Sequence, residues 1–205
     1  MNLIEKLDNK EKDQISFSFE VTPPLRGLDI GGVSKTIETL LPFYPLWIDI
    51  TSHAPDVDWV KAATPALFEK KIQKKRPGTI SVCAALQFKY GIDCVPHLLC
   101  RGFSVEETED SLIDLHYLGI RNILAIRGDG DIHVENPKNP GFESHLYATD
   151  LLQQISNLRE GIYLHQKAEP MKFCTGIGFY PEKHFESPNQ SFGLQILQKK
   201  SLLGA

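Results

Sequence analysis

The sequence predicts an α/β protein of the (β/α)8 TIM-barrel class, with about five βα units present. Predicted strands and helices alternate five times at a spacing of roughly thirty residues, which is the pattern of parallel βα units. No Gly-x-Gly-x-x-Gly follows the first strand, which counts against the dinucleotide site of an open doubly wound sheet. Polar residues follow successive strands, where barrel enzymes gather their active sites, so we favour the barrel.

The first half of the chain predicts two βα units. Residues 15–21 form a strand that Pro23 and Pro24 end, and a helix follows from about Val33 to Leu41. Residues 46–51 form the second strand. The basic residues 67–75 are predicted as a helix with a solvated charged face. Residues 79–88 fit a helix or a strand.

The second half predicts three further units. Residues 93–98 form a short apolar strand, and Ser104 with Glu107 forms a capping box that opens a helix ending at Gly119. Residues 122–126 are nearly all apolar, which is typical of a strand buried on both faces. A loop over 128–141, a helix over 144–158, a strand over 172–179 and a helix over 191–203 complete the prediction.

Composition and charge restrict the class of protein. The 205 residues are 41% hydrophobic and 23% charged, as in ordinary globular domains, and the net charge of -4 gives no basic excess for nucleic acid. The polar N-terminus lacks the apolar core of a secretory signal, and no apolar run reaches the roughly 18 residues of a membrane helix. We expect a cytoplasmic protein without nucleic-acid or membrane partners, whose self-association into a homo-oligomer stays open. The four cysteines form no C-x-x-C pair and are predicted to be reduced and mostly buried.

The length conflicts with a closed barrel, which needs eight βα units in about 250 residues. Residues 1–205 are therefore expected to be one barrel-type catalytic domain that is truncated at its C-terminus. A sheet of five strands has open edges, which favour association.

Glu20 is the first candidate for chemistry. It lies in an apolar strand beside aromatic residues and shortly before Pro23. Burying an ionised carboxylate is costly, so such an acid favours its neutral form and can donate a proton. An exposed position on an edge strand is the alternative, and composition does not choose between them.

Further candidates follow later strands. Arg127, Gly128 and Asp129 come after the most apolar strand, where glycine allows close backbone approach and the charged pair suits phosphate, ribose or ring atoms. A solvated turn fits these three residues equally well. His97 and His184 also follow strands, but no third ligand has a familiar spacing, so no metal site is predicted.

Six segments together resemble the methylenetetrahydrofolate reductases, most closely the shorter bacterial-type enzymes without a regulatory domain. The segments are FSFEVTPP (17–24), IDIT (48–51), VPHLLC (95–100), GIRNILAIRGD (119–129), LYATDL (146–151) and YPEKH (180–184). Each is weak alone, but all six occur in the order and spacing of that family.

The resemblance implies a barrel that carries FAD at the carboxyl ends of its strands. It implies that NADH or NADPH passes hydride to FAD, which passes it to methylenetetrahydrofolate and gives methyltetrahydrofolate, a step of one-carbon metabolism that supplies methionine. It also implies two catalytic residues, Glu20 as the proton donor and Asp129 as an acid whose charge stabilises a cationic iminium intermediate. The residues that match flavin contacts are Thr51, His97, Arg127, Gly128, Asp129, Tyr147, Ala148, Tyr180, His184 and Lys200.

The resemblance weakens after Asn189. The family carries an acidic residue and then an aromatic residue or Asn where this chain has Gly193 and Ile196, and its folate-binding glutamines are expected beyond Ala205. A flavin-binding module without catalysis is therefore the alternative to an active reductase.

Overall fold

The computed structural model describes residues 2–11, 15–53, 75–76, 78–128 and 144–205, and the backbone of residues 56–61 and 68–73. In chain order these residues form α1 (Leu3–Asp8), β1 (Phe19–Val21), α2 (Gly31–Leu40), β2 (Ile48–Ile50), β3 (Asp56–Lys61), β4 (Phe68–Gln73), α3 (Thr79–Tyr90), β5 (Cys94–Leu99), α4 (Val105–Tyr117), β6 (Asn122–Ile126), α5 (Ala148–Arg159), β7 (Cys174–Ile177) and α6 (Gln190–Leu202). No helix within these ranges has both the length and the apolar character needed to cross a membrane.

The main sheet has five strands in the order β1-β2-β5-β6-β7, and every neighbouring pair is parallel. Each strand lies beside the preceding strand of this sheet, so the order never reverses. A doubly wound sheet reverses its strand order at a switch point, whereas a barrel winds in one direction. The predicted class is confirmed: five consecutive βα units with the winding of a (β/α)8 barrel.

The predicted basic helix over residues 67–75 is wrong. Residues Phe68–Gln73 form strand β4, which pairs antiparallel with β3 in a separate two-stranded sheet. Strand β3 contains Val57, Trp59 and Val60, residue types that favour extended backbone. Pairing with this upstream segment overrides the helical preference of the lysines, because strand formation depends on a partner that a local pattern does not contain.

Other borders differ by a few residues. The ambiguous residues 79–88 lie in helix α3, which runs between two left-handed glycines, Gly78 and Gly91. The predicted strands over 15–21, 46–51 and 172–179 are shorter in the structure, and the predicted helix over 144–158 begins only at Ala148. Helix α1 was not predicted; the Leu3 amide donates to Asn122 Oδ1 at 3.0 Å and so docks this helix at the start of β6.

Helix α4 confirms the predicted local signals. The Glu107 amide donates to Ser104 Oγ at 3.0 Å, and the Ser104 amide donates to Glu107 Oε2 at 2.8 Å, which is the reciprocal capping box. Gly119 follows the helix with a φ of 71°, a backbone conformation that glycine adopts without strain. Between these signals Leu112 and Leu115 are fully buried against the sheet.

Helices cover one face of the main sheet, and we call this the helix-covered face. It presents Val21, Ile48, Ile50, Ile123 and Ala125, which are all buried. The largest buried side chains of the covering helices α4 and α5 are Leu112, Leu115, Leu151, Leu152, Ile155 and Leu158. Burying side chains of this size contributes about 1.5–3 kcal/mol each, so this face supplies most of the core.

The opposite face, which we call the open face, carries Glu20, Asp49, His97, Leu124 and Gly176. Strand register places Glu20 beside Asp49, and His97 beside Leu124, which lies beside Gly176. Alternate residues of a strand share a face, so His97 points to the same side as Val95, the partner of Asp49. The central strand β5 is buried on both faces, whereas Glu20 and Gly176 on the outer strands β1 and β7 are exposed.

Candidate active site at the carboxyl edge of the sheet

The predicted site residues converge on one edge of the sheet. Thr51 directly follows β2, and Arg127 and Gly128 directly follow β6. Tyr147 and Ala148 begin α5, the helix that follows β6. Tyr180 and His184 follow β7, and Lys200 of α6 donates to the Gly178 carbonyl at 2.8 Å. All of these residues therefore lie at the carboxyl ends of parallel strands. Asp129 lies outside the described residues, so its role stays a prediction.

Three side chains meet on the open face. His97 Nε2 lies 3.8 Å from Glu20 Oε2 and 3.7 Å from Asp49 Oδ1. Asp49 is held by Trp47, whose indole Nε1 donates to Asp49 Oδ2 at 2.7 Å. The His97 side chain is only 6% exposed, and its Nε2 has no hydrogen-bond partner. Buried polar atoms are usually paired, so a contribution to the stability of the fold does not explain why a histidine occupies this position.

Of the two interpretations of Glu20 that the sequence leaves open, the structure supports the exposed residue on an edge strand and not the buried acid. Its side chain is 61% exposed because β1 is an outer strand and Glu20 points to the open face. Phe19, the residue before it, points to the other side and packs against the core. A ligand on the open face therefore has direct access to the Glu20 carboxyl group.

Arg127 forms an ion pair that the sequence did not indicate. Its Nη1 donates to Glu186 Oε2, and its Nη2 donates to Glu186 Oε1 at 3.0 Å, which is a two-point arginine–carboxylate contact. The hydrogen bond from Arg127 lowers the pKa of Glu186, and the same bond raises the pKa of Arg127. Glu186 lies 59 residues further along the chain, so no local pattern links the two.

A row of rings, which we call the aromatic ledge, follows β7 and consists of Tyr180, His184 and Phe185. The Tyr180 and His184 rings meet edge to face at 5.1 Å, and His184 stacks on Phe185 at 4.6 Å. The Glu186 amide donates to His184 Nδ1 at 3.2 Å, which connects the ledge to the Arg127 ion pair. Tyr180 and Phe185 leave much of their ring surface exposed, and exposed aromatic rings of this kind can contact a planar ring system.

Lys200 and Cys100 show how closely the edge is packed. Burial lowers the pKa of Lys200. Its ammonium group donates a hydrogen bond to the Gly178 carbonyl. Burial raises the pKa of Cys100 to about 12, and its thiol donates to the Ile126 carbonyl at 3.3 Å. All four cysteines are free, and Cys83, Cys94 and Cys100 are buried, so the predicted thiol state is confirmed.

Gly128 and the start of α5 bring backbone to the same edge. Gly128 has a φ of 82°, and a Cβ there would lie 3.3 Å from Leu99 Cδ2. A side chain is therefore disfavoured twice, by conformation and by space. The Tyr147 amide donates to Asp150 Oδ2 at 2.9 Å, and the first turn of α5 carries the partial positive charge of a helix N-terminus.

The structure has two further clefts. One, of about 440 Å³, lies between α3 and α4 and reaches the candidate site, because His97 is among its lining residues. The other, of about 390 Å³, lies at the opposite edge of the sheet and is called the amino-edge cleft; Glu109, His116, Tyr117, Tyr163 and Met171 are among its lining residues. Within the ranges that the structure describes, no three His, Cys, Asp or Glu side chains cluster in a way that could hold a metal ion.

Comparison with known proteins assigns the family. The family model described as methylenetetrahydrofolate reductase matches residues 4–205. The chain belongs to the methylenetetrahydrofolate reductase family.

Relatives within this family include fungal, bacterial and plant proteins. The chain is 27% identical over 202 residues to methylenetetrahydrofolate reductase 1 of Schizosaccharomyces pombe, which covers 98% of this chain and 28% of the relative. It is 26% identical over 201 residues to the 5,10-methylenetetrahydrofolate reductase of Buchnera aphidicola (subsp. Schizaphis graminum), covering 98% of this chain and 56% of the relative. For the Escherichia coli enzyme of the same name, identity is 24% over 192 residues, covering 94% of this chain and 53% of the relative.

The chain spans about half the length of these bacterial reductases and about a quarter of the fission-yeast enzyme. Family membership thus covers the whole chain, whereas the relatives contain further sequence. Among the residues that the structure describes, sequence reasoning missed Glu186 at this edge and Asp49 on the open face beside it. Asp49 had a usable signal, because a lone acid between Ile48 and Ile50 interrupts a buried strand.

Proposed function

We propose that the chain provides the reductase site for FAD-dependent conversion of 5,10-methylenetetrahydrofolate to 5-methyltetrahydrofolate, with NADH or NADPH as hydride donor. The observation that carries this proposal is that groups suited to a flavin and a folate lie at one edge of the sheet. The acid Glu20 on the open face lies beside the one carboxyl edge where Arg127, Lys200, the start of α5 and the aromatic ledge meet. Family membership over residues 4–205 supports the same reaction.

The donor groups at this edge fit FAD. A diphosphate needs cationic and N–H donors, which Arg127, Lys200 and the first turn of α5 supply. A planar ring needs an apolar surface, which the aromatic ledge supplies, and close backbone approach, which Gly128 permits. When bound, FAD supplies the two-electron relay between a nicotinamide and a folate. Glu186 takes up two of the five N–H groups of Arg127, so a phosphate that needs these two must compete with Glu186 for them.

Glu20 is assigned the proton that the reaction needs. Opening the five-membered ring of the folate releases a nitrogen that takes up a proton, and the Glu20 carboxyl group gives its proton and becomes a carboxylate. Exposure of 61% on the open face lets a substrate reach this group. Asp129 is assigned the stabilisation of positive charge on the folate.

The proposed cellular compartment is the cytoplasm.

A second candidate is a flavin-binding module that does not reduce folate. The observation that favours it is that the groups at this edge whose chemistry matches a ligand, namely Arg127, Lys200 and the aromatic ledge, fit the diphosphate and the ring of FAD.

The test is an absorbance spectrum of the purified chain with FAD, followed by anaerobic addition of NADH and then methylenetetrahydrofolate. The proposal expects flavin to stay with the protein on gel filtration, to bleach with NADH and to recover with the folate. Free FAD under the same additions is the control for uncatalysed reduction. Flavin that binds and bleaches but does not recover identifies the flavin-binding module. A chain that binds no flavin contradicts both candidates.

A further inference from the structure

Three titratable side chains form a group on the open face, namely those of Glu20, Asp49 and His97. His97 Nε2 lies at nearly equal distances, 3.8 and 3.7 Å, from oxygens of the two carboxylates. These distances exceed a hydrogen bond by roughly 1 Å, so a small side-chain rotation toward either oxygen makes the bond. Nε2 is buried without a partner, and the atoms it faces are acceptors.

The Asp49 carboxylate favours a proton on the imidazole nitrogen that faces it. Without that proton the lone pair of Nε2 would point at a negatively charged group, which is repulsive, whereas a protonated Nε2 can donate to Asp49, and also to Glu20 when Glu20 is ionised. One N–H cannot make a full hydrogen bond to both. Asp49 and Glu20 are therefore competing acceptors for a single donor.

The two acceptors differ in what holds them. Asp49 is 17% exposed and fixed by the Trp47 indole, so its position is set by the fold. Glu20 is 61% exposed and changes its charge if it acts as the acid of the proposed function. A neutral carboxylic acid accepts a hydrogen bond less strongly than a carboxylate does.

We propose that His97 keeps a proton on Nε2 and that Asp49 is the positioning residue that holds this N–H while Glu20 is protonated. Once Glu20 has given its proton away, the N–H turns to the new Glu20 carboxylate and stabilises it. No further proton moves in this step: one O–H bond breaks at Glu20, one N–H bond forms on the folate, and His97 only changes its acceptor. The hydrogen bond between His97 and Asp49 concerns the protein alone. The change of acceptor to the Glu20 carboxylate rests on the proposed function.

The first test needs no activity. Histidine ¹⁵N shifts of the labelled chain distinguish a protonated Nε2 from an unprotonated one, and the loss of one signal set in His97→Gln assigns His97 among the seven histidines. We expect His97 Nε2 to be protonated at neutral pH. An unprotonated Nε2 in the wild-type chain overturns the proposal.

The variant Asp49→Asn gives a second test, because the hydrogen bond from Trp47 fixes the orientation of the new side-chain amide. The indole N–H needs an acceptor, so the amide oxygen of Asn takes the place of Asp49 Oδ2, and the amide NH₂ faces His97. The amide NH₂ opposes a proton on Nε2, and Glu20 is then the one carboxylate of this group that is left to accept it. The Nε2–H signal should therefore weaken in Asp49→Asn and be lost in Asp49→Asn/Glu20→Gln, where the proton moves to Nδ1. Adding Trp47→Phe to Asp49→Asn lets the amide turn over, so that variant should regain part of the Nε2–H signal. An unchanged Nε2–H in the folded Asp49→Asn/Glu20→Gln variant overturns the role of Asp49.

Separate measurements of flavin reduction by NADH and flavin oxidation by the folate distinguish a failure of this inference from a failure of the proposed function. In Asp49→Asn we expect folate-dependent flavin oxidation to slow about tenfold, the usual effect of one hydrogen bond to a charged group, while flavin reduction by NADH changes less than about twofold. Asp110→Asn, an exposed acid on α4, is the matched control. If the wild-type chain shows the Nε2–H signal and its loss in Asp49→Asn/Glu20→Gln but reduces no folate, the proposed function fails and the pairing of Asp49 with His97 stands. Equal slowing of both half-reactions in Asp49→Asn contradicts the positioning role.

Discussion

The two faces of the same five-stranded sheet have opposite characters. On the helix-covered face Ile48, Ile50 and Ala125 have no exposed surface, and each packs against apolar side chains. On the open face the equivalent rows contain Glu20, Asp49 and His97, two acids and an unpaired imidazole. Since successive residues of a strand alternate between the faces, neighbouring positions of β1, β2, β5 and β6 serve different purposes, stability on one face and chemistry on the other.

This division has a cost on the open face. A buried nitrogen without a partner, as His97 Nε2 is in this structure, destabilises a fold by about 1–3 kcal/mol, and the bond to Asp49 that we propose would reduce this cost. Sites that bind or react often sacrifice stability in this way. Substitutions on the two faces should therefore have different consequences, unfolding on one and loss of chemistry on the other.

The largest effect is expected for Glu20→Gln on the open face. Removal of a general acid slows the step it serves by about 10²–10⁴-fold, so folate-dependent flavin oxidation should be nearly abolished while flavin reduction by NADH remains. Rapid-mixing absorbance measurements report the two half-reactions separately. Glu106→Gln on α4, whose side chain is 72% exposed, is the matched control. Equal loss of both half-reactions in Glu20→Gln would sink its assigned role.

Leu151→Ala should show the complementary effect on the helix-covered side. Leu151 is fully buried in α5, and truncation of such a leucine lowers the free energy of unfolding by about 2–5 kcal/mol. Urea unfolding followed by circular dichroism measures this change. Leu202→Ala, at a position that is 82% exposed, should change it by less than about 0.5 kcal/mol. A Leu151→Ala chain as stable as the control would contradict the assignment of the core.

Arg127→Ala should weaken FAD binding by about tenfold, the loss expected for a charged two-point contact to phosphate. Arg127→Lys should retain part of the affinity, because it keeps the charge but loses the two-point geometry. Glu186→Gln should tighten binding, because it releases Arg127 from its present partner. Fluorescence titration of FAD measures all three. Unchanged affinity in Arg127→Ala would remove this residue from the site.

The ion pair also predicts a pH dependence. Arg127 lowers the pKa of Glu186, so the stabilisation from this pair is complete above the pKa of an unfolded glutamate. It is lost as the pH falls through the lowered folded value, where Glu186 takes up a proton. The acid limb of the stability curve should therefore be flatter in Glu186→Gln than in the wild type.

The smallest effect is expected in thiol reactivity. Burial raises the pKa of Cys94 and of Cys100 to about 12 and that of Cys83 well above its usual range, so few thiolates exist near pH 8. Mass mapping after brief alkylation should find Cys174, which is only half-buried, modified first. In urea all four cysteines should react at similar rates. Early modification of Cys100 in the native chain would show that the packed edge opens.

Local patterns predicted most of the fold, and non-local contacts explain what they missed. The capping box of Ser104 and Glu107, the glycine at 119 and the apolar run over 122–126 each depend on neighbouring residues. The pairing of β3 with β4 depends on two segments that meet only in the folded chain, and so a helix was predicted in its place.

The site shows the same limit. Glu20, His97, Arg127 and Lys200 were named from the sequence, and the structure places them at or near one edge. The partners that define their state were not named. Glu186 reaches Arg127 across 59 residues, and Asp49 reaches His97 because β2 lies beside β5 in the sheet. Residue types indicate chemistry, but strand order decides which groups meet.

The central claim is that ligands bind at the carboxyl edge beside the open face, and hydrogen exchange with and without FAD tests it most directly. The account predicts that FAD slows amide exchange in peptides containing residues 100–103, 144–150 and 178–190, which follow β5, β6 and β7. Exchange around the amino-edge cleft, in residues 109–117 and 161–171, should stay unchanged. Protection at that cleft instead, or protection nowhere, would contradict the account.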